Sequence, residues 1–275
     1  MNTLPRVLLP PESMKPRPEH RRFRAFNVGL AKTGTRSVAG MFAAYRALHE
    51  FLFSETARAV MERERGTGDE ARFRAFVRRR DQLAQLDMDS TSCTCYFVDV
   101  IAQEFPDAKL LFVVRDCLSW LDSLLNMVLF AGPMMGPWME GYFRRFLGPG
   151  YHRNLARDEG ELLAALPDMV ERGLEHWSAT NRFVLQHLPG DRSLIVRTRD
   201  LSRSLPAVAG FVGVPPETLL PDMSHLNGAR YRYDLLRRIE PALLAQWVEC
   251  HCGDLMRDLF SGVTVSRFLA ESHSP

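Results

Sequence analysis

Two hydrophobic patterns alternate along this chain: short apolar runs bounded by turn residues, and longer stretches with apolar positions at three- and four-residue spacing. Arg24 to Leu30 is a short run punctuated by glycine and predicts a buried strand. From Gly34 onward the spacing of Val38, Met41, Phe42, Tyr45 and Leu48 predicts a helix. His49 to Phe53 predicts a brief second strand. Glu55 to Arg65 and Asp69 to Gln85 have helical period on either side of Gly66-Thr67-Gly68. Leu86 to Ser90 leads towards a further helix, roughly Tyr96 to Glu104, and Pro106-Asp107-Ala108 makes a turn. Between its two terminal cations, Lys109 to Arg115 is continuously apolar, the pattern of a strand buried on both faces of a parallel sheet.

Leu118 to Phe130 predicts a helix, whereas Ala131 to Tyr151 is rich in Gly, Pro, Met and aromatics without a clean period and reads as a lid or binding loop. Glu159 to His187 is helical, Ser193 to Arg197 is another strand, and Leu201 to Val212 is a helix ended by Gly213. Tyr233 to Phe260 predicts a long helix interrupted or restarted near Pro241. Strands alternating with helices predict an α/β fold with a central parallel β-sheet flanked by helices. The chain shows no internal repeat.

At 275 residues, 46% hydrophobic and 25% charged, the chain has the material for one substantial core. The expected organisation is a flexible basic, proline-rich arm over residues 1–22 and one domain over 23–275, with a lid or acceptor-binding insertion at about 131–158. The net charge of +2 gives no general attraction to nucleic acid or membrane, so any anion site must arise from local clustering. No apolar run is read as long enough to span a bilayer, and a cytoplasmic location is expected. Five cysteines fit a reducing compartment. Cys93-Thr94-Cys95 and Cys250-His251-Cys252 both lack the usual two-residue zinc spacing, so no metal site is expected.

Only three of the cations outside histidine are lysines, against thirty-two arginines. One of them, Lys32, sits in the loop between the first strand and the first helix, where a compact ammonium differs from a planar guanidinium. Such a loop offers backbone N–H groups to an anion, and Lys32, Thr33, Thr35 and Ser37 add side-chain donors. A nucleoside-triphosphate P-loop places lysine directly after its second glycine. Here Thr35 follows Gly34 and the lysine comes two residues earlier.

Lys32-Thr33-Gly34-Thr35-Arg36-Ser37 instead resembles the 5′-phosphosulfate loop of the sulfotransferase family, K-[ST]-G-T-[TS] after the first strand. A second element of that family is an arginine at the end of a later strand, with a serine eight residues on. Arg115 and Ser123 stand in that relation. The resemblance is good over Phe26 to Ser123 and continues in Val196-Arg197-Thr198-Arg199-Asp200-Leu201 and Phe211-Val212-Gly213-Val214-Pro215, similar to the family's acidic-Leu turn and FLG-x-P ending. Arg36, Cys117 and Asp200 depart from the commoner residues without removing a phosphate ligand, and place the chain away from the animal cytosolic phenol and steroid enzymes.

The resemblance implies a P-loop NTPase-like sulfotransferase fold. It also implies transfer of a sulfuryl group from 3′-phosphoadenosine 5′-phosphosulfate (PAPS) to an acceptor, leaving 3′-phosphoadenosine 5′-phosphate (PAP), with no metal. Lys32 would then contact the bridging oxygen, the loop residues Thr33 to Ser37 would hold the phosphosulfate, and Arg115 and Ser123 would grip the 3′-phosphate. For the general base the residues offer two sets. His49-Glu50 lies where glycan sulfotransferases place a catalytic glutamate, and Asp87 and Asp89 lie about where phenol-type enzymes place a histidine. A carboxylate in this role needs its pKa raised by burial. His49-Glu50 is preferred to Asp89; the structural readings are a core histidine and a helix-capping aspartate.

The family's basic segment near the C-terminus has a candidate in Asn227-Gly228-Ala229-Arg230-Tyr231-Arg232, with Asn227 and Arg230 as nucleotide ligands; the other reading of this segment is a polar loop before the last helix. Met134, Met135, Trp138, Met139, Tyr142, Phe143 and Phe146 fit either an adaptable wall over a small or natural-product-like hydroxylated acceptor or the apolar face of a core helix. A homodimer is an expectation from the family alone. Two other functions stay open: a nucleotide kinase or NTPase with an atypical phosphate loop, and a non-catalytic nucleotide-binding protein of the same fold.

Overall fold

Strand β4 (Lys109–Val114) shows how the sequence generates the layers. Its side chains alternate by the two-residue period of a strand. Leu110, Phe112 and Val114 join one apolar cluster and Leu111 and Val113 the other, all fully buried. The computed structural model describes residues 20–221 and 233–271. Five parallel strands form the sheet, in the order β2 (Ala47–His49), β3 (Met88–Ser90), β1 (Ala25–Asn27), β4 and β5 (Ser193–Arg197). On one face Val38 and Met41 of α1 (Thr35–Met41) pack with Val208, Ala209 and Val212 of α8 (Leu205–Val212). On the other lie α4 (Val98–Glu104), α5 (Cys117–Ala131) and α7 (Glu159–His187), and α2 (Phe53–Glu64) and α3 (Glu70–Ala84) add Ala57, Val60, Phe73 and Val77 to the same core. The fold is therefore α/β, with helices on both faces of a parallel sheet.

From β1 the chain moves towards β2, and from β4 it moves towards β5, so the connections leaving these adjacent strands diverge. In open parallel sheets this divergence opens a crevice at the carboxyl ends of the strands. The loops after β1, β2, β4 and β5 all emerge on that side.

Several boundaries differ from the sequence expectation. The first helix ends at Met41, and the next strand is Ala47–His49 rather than His49 to Phe53. Pairing of Ala47 with Met88 and of His49 with Ser90 overrides the helical spacing of Tyr45 and Leu48. Residues 131–158 are more regular than expected: α6 (Pro137–Leu147) starts with proline and is followed by Gly148 at φ 85°. Tyr142, Phe143 and Phe146, taken from the sequence as part of an acceptor wall, are core side chains 3–6% exposed. The C-terminal helix restarts at Pro241 as α9 (Pro241–Trp247), passes through one wide turn at Val248–Cys252, and continues as α10 (Gly253–Leu259) before α11 (Val265–Ala270).

The expected arm at 1–22 falls largely outside the described residues, but its end is anchored. Arg21 donates to Asp81 at 2.6 and 3.1 Å, and the backbone N–H of Arg22 donates to Asp87 at 2.6 Å. One apolar stretch overlooked in the sequence, Cys117–Met134, reaches 18 residues at mean hydropathy 1.3, enough to cross a membrane by length and composition. Just over half of it, 56%, is buried within the protein, where Trp120, Leu121, Leu124 and Val128 pack into the core.

Candidate active site

The loop after β1 is built around two residues that tolerate no ordinary substitute. A Cβ on Gly29 would lie 2.3 Å from the Val113 carbonyl oxygen and 2.6 Å from Thr33 Oγ1, so glycine alone lets β1 and β4 approach there. Gly34, at φ 105°, turns the chain into α1. Between them Thr33 closes a tight turn, its Oγ1 donating to the Leu30 carbonyl at 2.8 Å, and Lys32 is left in the left-handed region at φ 69°. A left-handed lysine is a strained conformer of the kind that persists where surrounding contacts over-determine it. Lys32, Gly34, Thr35 and Ser37 line the crevice, Arg36 is exposed beside it, and the Thr33 side chain is turned inward.

Beyond β4, Arg115 joins the loop after β1 to the first turn of α5. Its Nη1 donates to the Lys32 carbonyl at 3.2 Å and its Nε to Ser119 Oγ at 2.9 Å. Asp116 caps α5 by accepting from the Ser119 N–H at 2.9 Å and also receives the Ser119 hydroxyl. Trp120 Nε1 donates to the Ala31 carbonyl at 2.8 Å, tying α5 to the loop, and Trp177 Nε1 donates to the Arg115 carbonyl at 3.0 Å. Ser123 lies one turn beyond Ser119 on the same helix face and lines the crevice. The β5 exit adds Thr198, whose hydroxyl donates to the Thr33 carbonyl at 2.7 Å.

At the β2 exit His49 Nε2 is within hydrogen-bond distance of Thr35 Oγ1, 3.1 Å, and lies 3.4 Å from a Glu50 carboxylate oxygen. The Glu50 carboxylate accepts from the Ser92 N–H at 3.3 Å. Burial, with the charge of Asp89 added, raises the Glu50 carboxyl to about 7 against the lowering effect of Ser92 and Arg80. Burial and the nearby cations Arg36 and Lys32 bring His49 down to about 4, which leaves it neutral at neutral pH. Burial, then the Arg115 charge, lowers the Lys32 ammonium.

These side chains border one cavity of about 570 Å³, within the usual range for small-ligand sites. Lys32, Thr35, His49 and Glu50 lie with Arg115, Ser119 and Ser123 around it, and Met127, Leu201 and Phe260 add apolar surface. Asp89 is not brought to the cavity. It is buried against Arg80 and accepts from the Thr91 hydroxyl at 2.8 Å, so its carboxylate is already engaged. Asp87 is likewise committed, accepting from the backbone N–H groups of Arg22, Phe23 and Arg46. Asn227 and Arg230 lie outside the described residues.

Asp116, Ser119, Thr198 and Arg199 also line the cavity, and none of them is singled out as a site residue by the sequence. Ser119 had a usable signal, since it stands four residues from both Arg115 and Ser123 on a predicted helix. Cys250 is exposed and Cys252 buried, as expected for positions two apart in a helical stretch.

The chain matches the Sulfotransferase domain family over residues 24–222. Its fold is similar to the crystal structure of a sulfotransferase from Alicyclobacillus acidocaldarius, at 18% identity and a TM-score of 0.44, covering 86% of this chain and 96% of that one. No curated protein matches the chain.

Proposed function

The chain belongs to the sulfotransferase domain family, and from that premise we propose that it transfers a sulfuryl group from PAPS to the hydroxyl of a small acceptor. The observation that carries this reading is the meeting of Lys32, Arg115, Ser123 and Glu50 around one cavity from three different strand ends. Two groups of donors suited to anions flank it, one in the loop after β1 and one at Arg115, Ser119 and Ser123. A bisphosphorylated nucleotide matches that donor set better than a triphosphate with magnesium does, because the lysine precedes Gly34 instead of following it.

PAPS supplies an activated sulfuryl group whose bridging S–O bond breaks as the acceptor oxygen bonds sulfur. The work left to the protein is positioning and charge stabilisation, as in phosphoryl transfer. Lys32 stabilises negative charge on the departing phosphate oxygen. Glu50 in its ionised form takes the acceptor hydroxyl proton, for which a carboxyl raised to about 7 is suited at neutral pH. His49, neutral and in contact with Thr35 and Glu50, orients the carboxylate and adds no charge of its own.

The test is incubation of the purified protein with PAPS and a panel of phenolic, alcoholic and sugar hydroxyls. Mass spectrometry should detect a sulfate ester and an equal amount of PAP. Consumption of PAPS by no acceptor in the panel, together with failure to bind PAP, removes the reading.

A further inference from the structure

An ion pair lies beneath Glu50 that the chemistry above does not use. Arg80 of α3 and Asp89 of β3 are 3% and 4% exposed and meet through both guanidinium Nη atoms, one of them at 3.1 Å. The same guanidinium donates to the Phe51 carbonyl at 2.8 Å and to Thr91 Oγ1 at 2.7 Å. Phe51 follows Glu50 directly. Thr91 precedes Ser92, whose N–H holds the Glu50 carboxylate. One side chain therefore joins the two segments that decide where that carboxylate sits.

The first of those segments needs holding. Glu50 and Leu52 are both left-handed, at φ 56° and 51°, with Phe51 between them. Two such non-glycine residues within three positions persist only where other contacts enforce them. A lysine has one ammonium and cannot reproduce the planar fork that reaches Asp89, Phe51 and Thr91 together. Asp89 has a complementary effect: by neutralising Arg80 it keeps the guanidinium from pairing directly with Glu50, a contact that would hold Glu50 permanently ionised and weaken it as a base.

We infer that Arg80, neutralised by Asp89, is a positioning residue that clamps the Glu50 turn to the Thr91-Ser92 segment and so keeps the Glu50 carboxylate half-buried at the cavity. This rests on the reading of Glu50 as the general base. The charged and titratable groups facing Glu50 are His49 beside it, Arg80 and Asp89 below, and Cys93 from the turn after Ser92.

The test follows the protonated Glu50 carboxyl by infrared titration, with Glu50→Gln as the blank, alongside calorimetric binding of PAP. The decisive protein is the double variant Arg80→Met/Asp89→Asn, which removes both charges together and so separates position from field. Its Glu50 midpoint is expected to fall from about 7 towards the ordinary carboxylate range, by about one unit or more, which is a tenfold loss of proton affinity, with PAP affinity within about threefold of wild type. Arg80→Lys is expected to lie between. Where the double variant does not fold, Thr91→Val, which removes only one arm of the clamp, gives a smaller shift in the same direction. An unchanged midpoint in these variants, or no Glu50-dependent band in the neutral range, overturns the inference. Failure of wild type to bind PAP instead strikes the functional reading on which it rests.

Discussion

Arg115 donates from its Nη1 to the backbone carbonyl of Lys32 at 3.2 Å, so the arginine at the end of β4 holds the strained lysine of the β1 loop from behind. The two residues are far apart in sequence, yet each limits where the other can go. This contact lies at the crevice where the chain connections of β1 and β4 diverge, and with the Arg115–Ser119 bond it ties the loop after β1 to α5.

Arg115→Ala should therefore weaken PAP binding and also loosen Lys32. Loss of a charge-assisted phosphate contact predicts an affinity lower by roughly tenfold to a hundredfold. Ser119→Ala, which removes the partner of Arg115 Nε, should give a smaller loss in the same calorimetric assay. Equal affinities for wild type and Arg115→Ala would place the 3′-phosphate elsewhere.

Lys32→Ala should lower turnover by about a hundredfold or more, since a donor used mainly in the transition state contributes on the order of 3 kcal/mol. Lys32→Arg should not restore it, because a guanidinium differs from ammonium in size and hydration. Initial rates of PAP release at saturating PAPS check both variants, and near-normal rates in either contradict the role.

Turnover should rise with pH through about 7 as Glu50 ionises, with His49 neutral throughout that window. The same group affects stability. Glu50 binds its proton more tightly folded than unfolded, so its stabilising effect is full below about 4.5 and is lost as pH rises through about 7. Glu50→Gln should accordingly melt higher than wild type at pH 8 and about equally at pH 4, the gain being at most on the order of 3 kcal/mol. His49 acts with the opposite sign, its stabilising effect being lost as pH falls from 6.5 through about 4. Melting curves across pH check these directions, and a Glu50→Gln protein less stable at pH 8 than wild type contradicts them.

Gly29→Ala should destabilise the fold by about 1–3 kcal/mol, because the added methyl meets a backbone oxygen of the neighbouring strand and not a flexible side-chain end. Gly66→Ala, where nothing lies within 4 Å, is a control for lost glycine freedom at φ 66° without a clash. Denaturant midpoints separate the two, and equal effects would mean that the close approach at Gly29 is unimportant.

What the sequence made legible was local chemistry. The apolar run ending at Arg115, the glycines around Lys32 and the i,i+8 relation of Arg115 to Ser123 depend on neighbours within one strand-loop-helix unit. The register of β2 was not legible, because pairing with β3 decided it against a helical period. Nor was α6, whose flanking glycines and prolines resemble a loop until its aromatic face is seen in the core. Asp89 shows the same limit at the site. Its position suggested a base, and only the guanidinium of Arg80, supplied by α3 from nine residues earlier in the chain, reveals it as a buried counter-ion.

In the proposed function the cavity where β1 and β4 diverge receives a 3′,5′-bisphosphorylated adenosine for sulfuryl transfer. Calorimetric titration of the wild-type protein with PAP, run beside ATP with magnesium, is the test of that occupancy. The expected result is saturable one-to-one binding of PAP, markedly tighter than Mg-ATP and weakened by roughly tenfold to a hundredfold in Arg115→Ala. Preference for Mg-ATP, or no binding of PAP, would contradict it.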